Sequence, residues 1–96
     1  MELGRVVGQV VATARTPGLP SNSLLMIELL TEQGEPTGEC HVAADPLGAG
    51  EGEWVIVVRG SSARCAIVEY APVDLAIVGI VDSVTGRQGK NIYRKS

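Results

Sequence analysis

Apolar and polar positions along this chain alternate or cluster over short stretches bounded by turn-forming residues, and those stretches read as strands. Leu3 to Ala14 is rich in valine, with Gly4 and Gly8 inside it. Glycines within a strand mark a bend or a close backbone approach. Arg15 to Ser23, "RTPGLPSNS", is a loop by its prolines, glycine and hydroxyl side chains. Leu24 to Glu32, "LLMIELLTE", fits a helix or a strand by pattern alone. The "EQGEPTG" that follows favours a strand feeding a hairpin, with Glu39 to Asp45 as its return. Glu53 to Arg59, "EWVIVVR", is a strand. "GSSARCA" offers a helical turn that Ser61 or Ser62 would cap. A short turn at Pro72 to Asp74 leads into a strand through "LAIVGIVDSV". "TGRQGK" is then a turn and "NIYRK" a last short strand.

Five or six such strands in 96 residues imply one domain spanning residues 1–96. The fold class is mainly β: a small antiparallel sandwich or, more economically, a closed five- to six-stranded antiparallel β-barrel with one short helical turn. Closure removes the sheet edges. A half-exposed antiparallel strand alternates apolar and polar residues, yet "WVIVV" and "LAIVGIV" do not. One face of each can look into the barrel. The other needs a cover, and no long amphipathic helix is there to supply it. Either loops cover these faces or another copy of the chain does; the pattern favours an oligomer.

Composition narrows the core. Hydrophobic residues make up 45% of the chain, aromatics only 3%, and Phe is absent. The core is therefore aliphatic and largely β-branched, which suits strands. The net charge of −3 and a pI near 5.0 oppose nucleic-acid binding, which draws on a basic surface. Cys40 and Cys65 form no CxxC pair and have no histidine at metal spacing. They read as reduced structural thiols in a cytosolic protein, a single disulfide being the alternative. The start of the chain lacks the basic region and long apolar core of a signal peptide. The longest apolar run, Leu75 to Val81, is far short of the ~20 residues of a membrane span. A soluble protein without a membrane partner is expected.

Candidate chemistry is sparse. "GAGEG" carries glycines at Gly48, Gly50 and Gly52, but Glu51 and Glu53 would repel a phosphate, and a strand follows rather than a helix. A tight turn is the simpler reading. His41 neighbours Cys40 within a strand, so the two side chains point to opposite faces and cannot serve as nucleophile and base. Asp45, Asp74 and Asp82 sit at strand or turn boundaries, where capping of backbone amides is the ordinary role. Arg59 and Arg64 flank "GSSA" and would clamp an anion or, in an oligomer, pair with a neighbour's carboxylate. Trp54, Tyr70 and Tyr93 are too few and too widely spaced for a base-stacking platform. No catalytic group, cofactor loop or metal set is assigned.

The chain resembles the vertex proteins of bacterial microcompartments, the small shell proteins of carboxysomes and of ethanolamine- and propanediol-type compartments. The residues that carry the likeness are "GRVVGQVVAT", "LLMIELL", "QGEPTG", "VAADPLGAGEGEWVIVVRGSSAR", "APVDLAIVGIVDSV" and "IYRK", in that order and over essentially the whole chain. Pro46 departs from the pattern within "D-x-x-GAG" and would stiffen that loop, and "CAIVEYAP" is short for the family. The resemblance implies an OB-like barrel with one short helix and no catalytic activity. It implies a homopentamer in the shell of a microcompartment in the bacterial cytoplasm, capping vertices where flat hexameric shell proteins cannot close. On that reading Gly48, Ala49 and Gly50 line the five-fold axis. Trp54, Arg59, Ser61, Ser62, Arg64 and Asp74 lie at the subunit interface. The competing reading is an OB-like small-barrel binding module for nucleic acid or another ligand.

Overall fold

The valine-rich start of the chain forms β1, Glu2–Val10, and pairs antiparallel on both sides. The computed structural model describes residues 1–12, 23–60 and 74–96. Beyond β1 come β2 (Ser23–Leu30), β3 (Pro36–Asp45), β4 (Trp54–Arg59) and β5 (Leu75–Ile80). They close a barrel in the order β1-β2-β3-β5-β4. Four seams are antiparallel; the β3–β5 seam is parallel, through Ala44 and Ala76. A second, two-stranded sheet joins β6 (Ser83–Thr85) to β7 (Asn91–Arg94) through a 3₁₀ turn at Arg87–Gly89. No helix of the described residues is long and apolar enough to cross a membrane.

The expected closed, mainly β barrel is thus the observed one, with shifted boundaries. The hairpin turn is tighter than "EQGEPTG" indicates, because β3 starts at Pro36. Thr31 holds the turn, its hydroxyl accepting from the Gln33 and Glu35 amides at 3.3 and 3.1 Å. The strand expected through "LAIVGIVDSV" breaks after Ile80. Val81 donates its amide to the Trp54 carbonyl at 2.9 Å, and the chain then leaves the barrel for the small sheet. The helical turn expected in "GSSARCA" lies outside the described residues. The 3₁₀ turn that is described falls in "TGRQGK", read from the sequence as a plain turn.

Strand alternation puts Val6, Leu25, Ile27, Leu29, Ala43, Val55, Val57, Leu75 and Ile77 inside the barrel as one buried cluster. All are aliphatic, as the absence of Phe requires. Gly4 faces inward among them, and a Cβ there would collide with Ile27 Cγ2. This is the close backbone approach that a strand glycine signals. Gly8 sits at a register shift between β1 and β2, the bend.

The outer faces of β4 and β5 are only partly open. Val58 and Ala76 pair across the seam and are already buried. Ile56 is half-buried, and Val78, at a second register shift, is 39% exposed. The single chain therefore covers some of the surface that the sequence pattern left unpartnered.

Candidate functional site

One end of the barrel is closed by the loop after β3. Asp45 ends that strand on its inward face and is 4% exposed. Its carboxylate accepts three backbone N–H groups in succession: Leu47 at 2.9 Å and Gly48 at 3.1 Å on Oδ1, and Ala49 at 2.7 Å on Oδ2. A buried carboxylate must be satisfied in this way or be left at high cost. Wrapping the chain around it requires Gly48 at φ +84°. The Gly50 amide donates to Glu53 Oε1 at 2.6 Å, and Gly52, at φ +87°, donates to the Val6 carbonyl at 2.8 Å. The amides of Gly48, Ala49 and Gly50 are thus taken by the chain's own carboxylates and that of Gly52 by a backbone carbonyl, so these four are not free to cradle a phosphate. Gly48 and Gly50 are exposed, and Ala49 packs partly against the core.

Charged side chains rim the opposite end. Register puts Glu2 opposite Val57, Arg59 opposite Leu75 and His41 opposite Ile27, all on the inward face. Arg59 grips Glu2 with two bonds, Nε to Oε2 at 2.5 Å and Nη2 to Oε1 at 3.2 Å. Its Nη2 also lies 3.9 Å from Glu39, which the His41 ring meets at 3.0 Å. The hydrogen bond from Arg59 holds the Glu2 carboxyl below its ordinary range, and the same bond raises the guanidinium. Asp74 is exposed at the entry to β5, with its carbonyl accepting from Gly60 at 2.9 Å.

Trp54 joins the barrel to the small sheet. Its ring stacks on Tyr93 of β7, with centroids 4.1 Å apart and planes 13° from parallel. Gly34, at φ +82°, lets the β2–β3 turn lie against the same indole, where a Cβ would strike Trp54 Cη2. Lys95 bridges to Glu53 at 2.5 Å and donates its amide to the Asp82 carbonyl at 2.8 Å. The Lys95 hydrogen bond, followed by that from Gly50, lowers the Glu53 carboxyl. Between the small sheet and the barrel runs a cleft of about 580 Å³ walled by Leu3, Glu32, Val84, Gly86, Arg87 and Ile92.

Several residues chosen from the sequence are therefore engaged within their own chain: Trp54 with Tyr93, and Arg59 with Glu2. Gly48, Gly50 and Asp74 are exposed. Ser61, Ser62 and Arg64 lie outside the described residues. His41 and Cys40 do point to opposite faces. Cys40 is a free thiol and exposed, and Cys65 lies outside the described residues. Of the three aromatics judged too sparse for a base-stacking platform, Trp54 and Tyr93 stack on each other, and Tyr70 lies outside the described residues. Among the described residues, no three His, Cys, Asp or Glu side chains gather as a metal site. Sequence reasoning gave Asp45 only an ordinary capping role and did not identify the Trp54–Tyr93 join. An Asp followed at short spacing by Gly was the available signal for the first.

Comparison with known proteins follows the same lines. Residues 1–82 match the family model described as ethanolamine utilisation protein EutN/carboxysome. The chain is 51% identical to the bacterial microcompartment shell vertex protein EutN of Salmonella typhimurium, over 99% of this chain and 96% of that one. Its structure superposes on a solved ethanolamine utilization protein EutN with a TM-score of 0.94 at 49% identity, covering all of both chains. It superposes on the GrpN pentameric microcompartment shell protein of Rhodospirillum rubrum with a TM-score of 0.82 at 45% identity, over 90% of this chain and 99% of that one.

Proposed function

The chain belongs to the EutN/carboxysome family of microcompartment shell vertex proteins, and on that premise we propose that five copies close into a ring that caps shell vertices beside hexameric shell proteins. It is a structural protein of the microcompartment shell and not an enzyme, as its family and named relatives are. The observation that carries the pentamer is the superposition of 90% of this chain on the GrpN pentameric shell protein, at 45% identity.

Local geometry supports this reading. Asp45 is taken up by backbone amides, Arg59 by Glu2 and the Trp54 ring by Tyr93, so these groups are engaged within the chain. Large apolar side chains also stay exposed on the single chain, Val42 at 44%, Leu47 at 50% and Val78 at 39% among them. A five-fold ring is heterologous: one patch of each subunit meets a different patch of the next. Residues 1–96 act in it as a single domain. The "GAG" loop lines the axis in this reading, with Gly48 and Gly50 exposed and Ala49 against the core. Asp74 and the segment holding Ser61, Ser62 and Arg64 supply subunit contacts.

Native mass spectrometry of the purified chain tests the reading. A species of about 50 kDa, five times the 10.0 kDa subunit, is expected. A monomer at every concentration, with or without a hexameric shell protein, would refute it.

A further inference from the structure

Charge is divided unevenly along this chain. Of its eight Lys and Arg, four lie in the C-terminal hairpin segment: Arg87, Lys90, Arg94 and Lys95. None of its eleven Asp and Glu does; all of them precede Ser83. The hairpin is thus a cationic unit on a strongly anionic barrel. It is also a distinct piece of structure, a separate two-stranded sheet beginning just after the family model ends at residue 82.

Only part of that positive charge is used within the chain. Arg87 meets Glu32 at 3.1 Å across an exposed surface, and Lys95 meets Glu53. Lys90 and Arg94 are exposed and make no ion pair among the described residues. On the barrel, Glu35, Glu51 and Asp74 are exposed carboxylates likewise without a salt bridge among those residues.

Five copies carrying −3 each repel one another, and a ring must offset that. A head-to-tail contact does so if the cationic part of one copy faces the anionic part of the next. Asp74, bonded to Gly60 at the end of β4 away from Trp54, is separated from the hairpin as such a contact requires, whereas Glu51 lines one cleft with Arg94 and Lys95. The hairpin docks by Trp54 and Leu3 over β4 and β1, while Asp74 opens β5, whose other neighbour is β3.

We propose that the C-terminal hairpin of each subunit, through Lys90 and Arg94, seats on the carboxylate-bearing barrel of the next copy and forms the electropositive side of the subunit contact. This rests on the pentameric reading above and specifies its interface.

The test is the ring's dissociation on dilution, followed by sedimentation for the wild-type chain and the double variant Lys90→Gln/Arg94→Gln, at about 0.05 M and about 0.5 M salt. Neither side chain holds the hairpin in place, so near-ultraviolet dichroism from the Trp54–Tyr93 stack should match in the two proteins. For the wild type, the concentration of half-dissociation should rise with salt. For the variant it should rise about fourfold at low salt, because a roughly threefold loss at each of the five contacts enters the half-dissociation concentration of a pentamer only through the fourth root of their product, and its salt dependence should flatten. A variant ring as stable as wild type, with the same salt response, overturns the hairpin contact and leaves the pentamer standing. A wild-type chain that forms no ring at all overturns the pentamer and this contact together.

Discussion

At the scale of single residues, two carboxylates do unlike work at the two ends of one barrel. Asp45 is buried and organises backbone: three amides converge on it. Asp45→Ala removes all three acceptor contacts at once. Leu47 and Gly48 can turn to water, but the loop loses its template. We expect a loss of about 2–3 kcal/mol in urea unfolding, with Asp45→Asn intermediate because its amide accepts at one oxygen only. Glu2 is part-exposed and pairs with Arg59, so its contribution is small and responds to salt. Its folded-state carboxyl sits below the ordinary value of 4.5, so the stabilisation is fully present above that value and lost as pH falls through the depressed one. The Tm difference between wild type and Glu2→Gln should therefore be present at neutral pH, shrink as the pH drops below about 4.5, and narrow in high salt. A difference that grew on acidification would show that the Arg59 contact does not stabilise the fold.

At the scale of elements, the short sheet of β6 and β7 stays put by docking rather than by its own ladder. An isolated two-stranded hairpin is marginal in water. This one is fastened by the Trp54–Tyr93 stack, the Lys95–Glu53 pair and the Val81 amide on Trp54. Tyr93→Ala removes the stack and its buried area. About 2 kcal/mol of stability should be lost, and Trp54 emission should shift to the red as the indole meets water. An unshifted spectrum would mean that the hairpin docks without the ring. The strand patterns of β2, β4 and β5 were legible in the sequence because aliphatic runs bounded by Gly, Pro and Asp have few other solutions. The break at Val81 was not, since Asp82 and Ser83 can equally lie on the solvent face of a continuing strand. Val81 still bonds to the Trp54 carbonyl, the start of β4, and the chain runs out of partner beyond it.

At the scale of the whole molecule, the uncovered apolar surface is smaller than the strand patterns indicate, because Val58 and Ala76 are buried within the single chain. What is left on the outer faces of β3 and β5, Val42 and Val78, is modest for one subunit but would be repeated five times in the proposed ring. Val78→Lys should leave the monomer folded, since its side chain points away from the barrel core, yet shift the native mass from pentamer towards monomer by placing a charge in an apolar contact. A variant that stays fully pentameric would remove Val78 from the interface.

The sequence by itself determined the closed aliphatic β fold, the turn character of "GAGEG" and the absence of a nucleophile–base pair at Cys40 and His41. Each follows from local rules: strand alternation, glycine's backbone freedom, and the opposite facing of adjacent strand residues. Tertiary structure alone decided which partners the polar groups take. Arg59 reaches Glu2 across 57 positions of chain, and Trp54 finds Tyr93 because β7 returns over the barrel. The parallel β3–β5 seam likewise depends on how the strands wrap. Spacing in a sequence carries no record of such meetings, since they are set by closure of the barrel and not by any residue's own preference.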